Sequence, residues 1–393
     1  MKDEKESGDE ALNQFASLIL SETRPTWAEI DLNNLVHNFR IMKEAVGPRV
    51  AIMPAVKADA YGHGATACAL ALERAGAEWF GVALVEEGIE LRQAGISRPI
   101  LCLGGFWEGQ ESLLAAHDLT PVVYSLGRLA RLDSLGRPIN YHLKVDTGMG
   151  RLGVPYTELG AFLDGAARFT NAKLDGVMTH FASADDPDKD DFTRRQAQAF
   201  ENAIEQVRAR GHSPRWIHQA NSAGTHAFAQ GRSNLVRLGG VLYGLWRDVT
   251  NTSVRPLDWR AVLSLHTRII FLKSVPAGTP LGYGCTFVTR RRSRIATLAI
   301  GYEDGLSRAL SNRGRVLVRG QFAPIVGRIS MDLTIVDVTE VEGAESGDEV
   351  VLIGRQGEAE ITAEGLAESI ETISYEVTCG ISRRVPRVYI SDR

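Results

Sequence analysis

Cysteine is scarce and scattered. The four in this 393-residue chain, Cys68, Cys102, Cys285 and Cys379, form no close pair. That spacing excludes paired-cysteine metal sites, gives no reason to place a metal, and reads as reduced thiols in a cytoplasmic protein. A basic excess is also missing. Lys and Arg total 44 against 48 Asp and Glu, a net charge of −4, which argues against a dedicated nucleic-acid or membrane-surface binder. The run Arg290-Arg291-Arg292 with Arg294 reads as a solvated loop, with an anion-attracting rim as the alternative. The start of the chain has no leader character. MKDEKESGDE is acidic, and the following ALNQFASLIL is too short and polar to cross a membrane. Residues 1–24 therefore read as an N-terminal extension. No internal repeat or low-complexity segment stands out.

What is present is a long alternation. From about residue 27 to 258, short apolar, β-branched runs at 50–56, 79–83, 99–103, 121–124, 140–145, 174–180, 216–219 and 235–238 are separated by helix-patterned stretches such as 66–75, 86–94 and 194–210. Runs that stay apolar throughout suit strands buried on both faces, and strand–helix alternation predicts parallel βαβ units. Eight units fit a (β/α)8 barrel of the TIM type; a doubly wound open sheet is the alternative. Near residue 258 the pattern changes to strands punctuated by Gly, Pro and Asp, at 262–272, 294–300, 315–319, 322–329, 333–338, 349–353 and 385–390, with one clear helix at 363–371. The expected organisation is an extension at 1–24, an α/β barrel at 25–258 and a mainly antiparallel β domain at 259–393.

A barrel collects its chemistry at the C-terminal ends of its strands. Lys57 follows the first run, Lys144 and Arg151 lie at and after the fifth, and His180 ends the sixth. Asn221-Ser222-Ala223-Gly224 follows the seventh, and Arg237-Leu238-Gly239-Gly240 closes the eighth. A lysine leaving an apolar strand has a desolvated amine of lowered pKa, the usual condition for Schiff-base chemistry. Asn221–Gly224 reads either as a plain helix cap or, with the glycines after the eighth strand, as a phosphate cradle. A lysine opposite such a cradle suggests pyridoxal 5′-phosphate, PLP.

At these positions the sequence resembles the alanine racemases, the fold-type III PLP enzymes. The decapeptide Ala55-Val56-Lys57-Ala58-Asp59-Ala60-Tyr61-Gly62-His63-Gly64 is similar to their cofactor-lysine signature. The likeness continues through 144–153, 179–181, 221–224, 237–244, Gly282-Tyr283-Gly284, Gly301-Tyr302-Glu303-Asp304-Gly305, 327–332 and Ser374-Tyr375-Glu376-Val377. It covers essentially everything from residue 26 onward.

The resemblance implies a homodimer with shared active sites, in which a first strand near 27–32 joins the β domain. It implies PLP covalent to Lys57, with Tyr283 of the second copy facing it across the substrate. Arg151 binds the substrate carboxylate, His180 lies against the cofactor ring and buttresses Tyr283, and Arg237 meets the pyridine nitrogen. Ser222, Gly239, Gly240, Tyr61 and Tyr375 hold the phosphate. Met331 lines the site, with Lys144 and Asp332 in support. Racemisation removes a proton from one face of Cα and returns one to the other, so two bases, Lys57 and Tyr283, suffice. A phenol titrates near 10, and a neighbouring cation, Arg151 or His180 linked to an arginine, brings it down. A permanently charged Arg237 disfavours a protonated pyridine ring and a long-lived carbanion, which suppresses transamination.

The chain departs from the family's common pattern at Asp59, Glu303, Ser330, Leu238 and Gly240. None of these removes a catalytic group; Gly240 is expected to loosen the phosphate turn. Carbamylation of Lys144 is a further implication of the resemblance. The bulk of Tyr375 and Met331 favours alanine, with serine next and some leak to 2-aminobutyrate, since a pocket separates one methylene by only about 1–3 kcal/mol. The D-alanine formed serves peptidoglycan, or the enzyme serves alanine breakdown. A basic amino-acid decarboxylase on the same architecture and a non-catalytic PLP carrier are the rival readings; the Tyr283 and Tyr375 motifs count against the first and the second domain against the other.

Overall fold

The computed structural model describes residues 24–227, 233–247 and 257–391, so all but Arg24 of the expected N-terminal extension lies outside the described residues. The chain divides into two compact units. Among the described residues, one comprises those within 35–61 and 65–260, and the other those within 24–34, 62–64 and 261–391.

The first unit is an eight-stranded parallel barrel among the described residues. Its strands are Ala51–Pro54, Phe80–Val82, Ile100–Cys102, Leu119–Val123, Ile139–Asp146, Ala172–Met178, Trp216–His218 and Leu235–Leu238. Each pairs in parallel with the next from Phe80 to His218. The ring closes through three links. Asn234 N–H bonds to Ile217 O, Leu235–Leu238 pairs with Ala51–Pro54, and Ala55 bridges to Gly81. Closure removes every sheet edge and decides the barrel over the open sheet. Met53, Trp79, Leu101, Val122, Met178 and Leu235 fill the centre as one buried cluster.

The outer helices follow from spacing. In Asp190–Ala209, Thr193, Gln196, Phe200, Ala203, Ile204 and Val207 are buried, a three-and-four repeat that puts one face on the sheet.

The second unit is a mainly antiparallel sheet. Its order runs Gln321–Pro324, Arg315–Val318, Glu349–Gln356, Leu263–Val275, Thr26–Asp31, Arg387–Ile390. Leu263–Val275 is long enough to serve two partners. Residues 265–268 pair with Glu349–Gln356, and after a bulge between Ile269 and Phe271 the strand pairs with Ser293–Leu298. Thr26–Asp31 lies between Leu263–Val275 and Arg387–Ile390, with Trp27 stacked on His266 at 5.2 Å.

Two details differ from expectation. The strand expected at 322–329 stops at Pro324, which has no N–H to continue the ladder; only an isolated Ile325–Val336 bridge follows. A second helix, Ser374–Cys379, joins Ala363–Ser369. Its six residues include β-branched Val377 and Thr378, so local preference hides it.

Arg290, Arg291 and Arg292 are exposed in the turn before Ser293–Leu298, where Arg291 pairs with Glu340.

Candidate active site

Immediately after the first barrel strand the backbone turns left-handed. Ala58, Asp59 and Ala60 hold φ of 52–54° and ψ of 47–50°, and Tyr61 follows at φ 57°. Each such non-glycine residue costs about 1–2 kcal/mol, so the surroundings must impose the turn. Ala60 N–H bonds to Val56 O at 2.9 Å. Glu87 accepts from Ala58 N–H at 2.7 Å and from the N–H groups of Ala83 and Leu84, tying two strand-end loops to one carboxylate. Asp59 caps the next helix by accepting from Ala65 N–H at 2.7 Å. Lys57 stands at the start of this turn, half-buried, with its Nζ 5.9 Å from the Tyr61 ring.

Lys57 shares its surroundings with other positive charges. Lys144 is buried, and its amine is pushed down to about 8 by desolvation and then by the positive charges of Arg237, Arg151 and Lys57. The same four cations, with burial as the larger cause, hold His180 well below the ordinary imidazole value. His180 is therefore neutral at pH 7.

Arg237 is buried and its guanidinium is pushed down to about 9 by desolvation, still a cation at neutral pH. It donates to the carbonyls of Thr179, His218 and Gln219 at 2.7–3.1 Å, to His218 Nδ1 at 2.8 Å and to His180 Nδ1 at 3.3 Å.

The last two strands build a cradle. Ser222 Oγ accepts from Gly239 N–H at 2.9 Å. A Cβ on residue 239 would sit 2.5 Å from Tyr61 Oη, so only glycine lets the tyrosine approach this backbone. Tyr61 is backed by Tyr243, ring centroids 5.1 Å apart, whose hydroxyl donates to Ala55 O at 2.9 Å. Asn221 Oδ1 accepts from Gly224 N–H at 2.9 Å, so the capping reading of that segment holds beside Ser222's bond to the eighth strand's turn. Gly240 is buried at the start of the short helix Gly240–Tyr243.

The barrel unit thus brings together Lys57, Tyr61, Lys144, Arg151, His180, Ser222, Arg237, Gly239 and Gly240. The remaining candidates belong to the second unit. Tyr283 sits between two left-handed glycines, Gly282 and Gly284, and is 72% exposed; Met331 is 49% exposed. Asp332 accepts from Arg384 at 2.7 Å, and Arg384 also reaches the buried Asp304 at 3.6 Å. Tyr302 and Glu303 donate their N–H groups to the carbonyls of Ser330 and Met331, fixing that loop. Tyr375 lies in the helix Ser374–Cys379. Sequence reasoning gave no role to His142, His218 or Tyr243. Their only signal was a polar or ring side chain within an apolar strand or turn.

Two family models match, the alanine racemase N-terminal domain over residues 30–246 and the alanine racemase C-terminal domain over residues 262–389. The chain belongs to the alanine racemase family. It is 48% identical over 375 residues to an alanine racemase of Halothermothrix orenii, an alignment covering 93% of this chain and 97% of that relative. Alanine racemase from Bacillus anthracis with bound L-Ala-P matches with a TM-score of 0.86 at 36% identity, covering 94% of this chain and 96% of that one. Alanine racemase from Bartonella henselae with covalently bound pyridoxal phosphate matches with a TM-score of 0.84 at 32% identity, over 93% and 99%. Among the described residues no helix is long and apolar enough to cross a membrane.

The barrel mouth of this family member fits PLP on its own chemistry. Four cations suit a ligand carrying phosphate and carboxylate, the primary amine of Lys57 just past its strand suits a carbonyl, and the Gly239 turn is open where a Cβ would block it.

Proposed function

We propose that this chain interconverts L- and D-alanine, with PLP held covalently by Lys57. The observation that carries the reading is the gathering of Lys57, Lys144, Arg151 and Arg237 around a neutral His180 in one barrel. Ser222, Gly239, Gly240 and Tyr61 hold the phosphate, with Tyr375 closing over it, and His180 packs against the ring with Arg237 at its nitrogen. When bound, PLP supplies the sink for the electron pair left as the Cα–H bond breaks.

Arg151 anchors the substrate carboxylate and so fixes which faces of Cα meet the two bases. Lys57 Nζ takes or gives the proton on one face and Tyr283 Oη does so on the other. Which of them is base and which is acid depends on the enantiomer that enters.

Tyr283 and Met331 belong to the partner subunit's share of each site, and their exposure in a single chain supports this: a large aromatic and a methionine left in solvent mark a surface awaiting cover. Lys144 is placed to accept CO2 as a carbamate beside Arg151, which would exchange a buried cation for an anion. Asp332 supports Met331 through Arg384. No disulfide joins Cys68, Cys102, Cys285 and Cys379, which suits a cytoplasmic enzyme.

The test is NMR of L-alanine in heavy water with purified protein and PLP, followed by chiral analysis. Loss of the Cα–H signal with growth of D-alanine is expected. Intact L-alanine in the presence of bound PLP would reject the reading, and a decarboxylated amine from lysine or ornithine would replace it.

A further inference from the structure

Two fully buried histidines, His142 and His218, take no part in the chemistry above, yet they lead directly to Arg237. They sit on the barrel strands Ile139–Asp146 and Trp216–His218, on either side of Ala172–Met178, where His142 registers with Gly176 and His218 with Met178. A Cβ on residue 176 would lie 2.6 Å from the His142 ring, so the ring lies directly against a glycine backbone. Trp79 packs on it from another side, centroids 5.1 Å apart. The imidazole is wedged in an apolar barrel core, where an unmatched polar atom is costly.

The protons in this core are dictated by valence. A guanidinium has five N–H donors and no acceptor. Arg237 approaches His218 Nδ1 at 2.8 Å, so that nitrogen accepts. A neutral imidazole then carries its proton on Nε2, which lies 2.8 Å from His142 Nδ1. His142 Nδ1 accepts in turn, and its proton sits on Nε2, which makes no hydrogen bond but faces the Asp175 carboxylate at 3.9 Å as a longer electrostatic contact. Burial and the Arg237 charge push both imidazoles below their ordinary value, which keeps them neutral. Protonating either one would set two N–H groups against each other across 2.8 Å, or a third donor against Arg237. The direction of every bond therefore follows from the arginine. Of the donor groups of Arg237, the two terminal nitrogens make all of its hydrogen bonds to the described residues and Nε–H makes none.

We propose that His218 and His142, with the Asp175 carboxylate at their far end, form a one-way line of acceptors that holds Arg237 in place, with Nε–H left for the ligand. They are positioning residues. The line also bars proton delivery to the ring nitrogen from the barrel interior, because no link in it can turn round while Arg237 stays charged. The assignment of Arg237 to that nitrogen rests on the racemase reading; the direction of the line does not.

The deciding experiment is 15N NMR of histidine-labelled holoenzyme near pH 7, with the two rings assigned by single substitution. Both His218 and His142 are expected as neutral Nε2–H tautomers, with a through-hydrogen-bond N–N coupling between them. An Nδ1–H tautomer at His218, or an imidazolium at either site, would overturn the proposal. His142→Phe keeps a ring in the slot and removes the acceptor. It is expected to lower kcat about tenfold with KM unchanged, since His218 Nε2–H is left unmatched. Wild-type kcat in that variant would remove the positioning role.

Asp175 is half-exposed, so its variants should fold even if His142→Phe does not. Asp175→Ala should let His142 populate both tautomers, and Asp175→Asn, which keeps an acceptor, should restore Nε2–H. Identical tautomer populations in the two would strike Asp175 from the line. Failure of alanine Cα–H exchange in the unmodified protein would sink the racemase reading, while the NMR still decides the direction of the line.

Discussion

The two units treat their candidate catalytic groups in opposite ways. In the barrel, Lys144 is buried, Arg237 and His180 are joined by a hydrogen bond within their own unit, and burial and neighbouring charge shift their pKa values. In the antiparallel unit the backbone around Tyr283, Met331 and Asp332 is as firmly built, but the side chains of Tyr283 and Met331 stand in solvent. That exposed aromatic and thioether surface is what supports the proposal that this unit completes a neighbour's site.

The sharpest way to break that comparison is to remove one group from each side. Tyr283→Phe and Lys57→Ala should each lower kcat by at least about 10²–10⁴-fold with the circular dichroism spectrum unchanged. Mixing the two inactive variants should restore about a quarter of the wild-type activity, because half the dimers are then mixed and each has one intact site. No recovery on mixing would mean that sites are not shared.

Gly239→Ala tests the barrel side alone. The added methyl meets Tyr61 Oη, and overpacking of this kind costs about 1–3 kcal/mol. PLP affinity measured by absorbance titration should fall about tenfold or more, and adding Tyr61→Phe should recover part of it. A smaller effect is expected from Gly240→Ile, which should tighten PLP binding; unchanged or lower affinity would show that the turn is not loosened by glycine.

Lys144 sharpens the contrast through pH. Its folded-state value, about 8, lies below the ordinary 10.5. Between those values the unfolded chain binds more protons, so the destabilisation is complete below about pH 8 and lifts as pH rises toward 10.5. Lys144→Met should unfold at higher urea than wild type near neutral pH, by up to about 3 kcal/mol, with the gap closing near pH 10. A gap independent of pH would count against a buried cation there. The smallest effect should come from Arg291→Ala, whose exposed pair with Glu340 should leave the urea midpoint unchanged.

Much of this arrangement was legible in the residues. The eight apolar runs of the barrel stand within a few positions of the observed strands, because strands buried on both faces advertise themselves by unbroken apolar character. Lys57, His180, Ser222 and Arg237 were found because a barrel exposes functional groups only where strands end. Pro324 cut short a strand that hydrophobicity alone extended, and Ser374–Cys379 formed a helix against its local preference. The charge of the mouth was not legible for a physical reason: Lys144, Arg151 and Arg237 are 87 or more residues from Lys57 in sequence, and only closure of the ring brings their fields onto one another.

By itself, then, the order of residues determined the alternation that makes a barrel, the change to a punctuated β domain, and which polar groups end which strands, since these depend on nearest neighbours and periodicity. Three things were decided by tertiary structure. It made His180 neutral, because desolvation and four cations act together only in the folded mouth. It imposed a left-handed turn on Ala58–Tyr61, which no local preference would choose. It set the direction of the His218–His142 line, because a donor-only guanidinium on one strand dictates the protons of rings on two others.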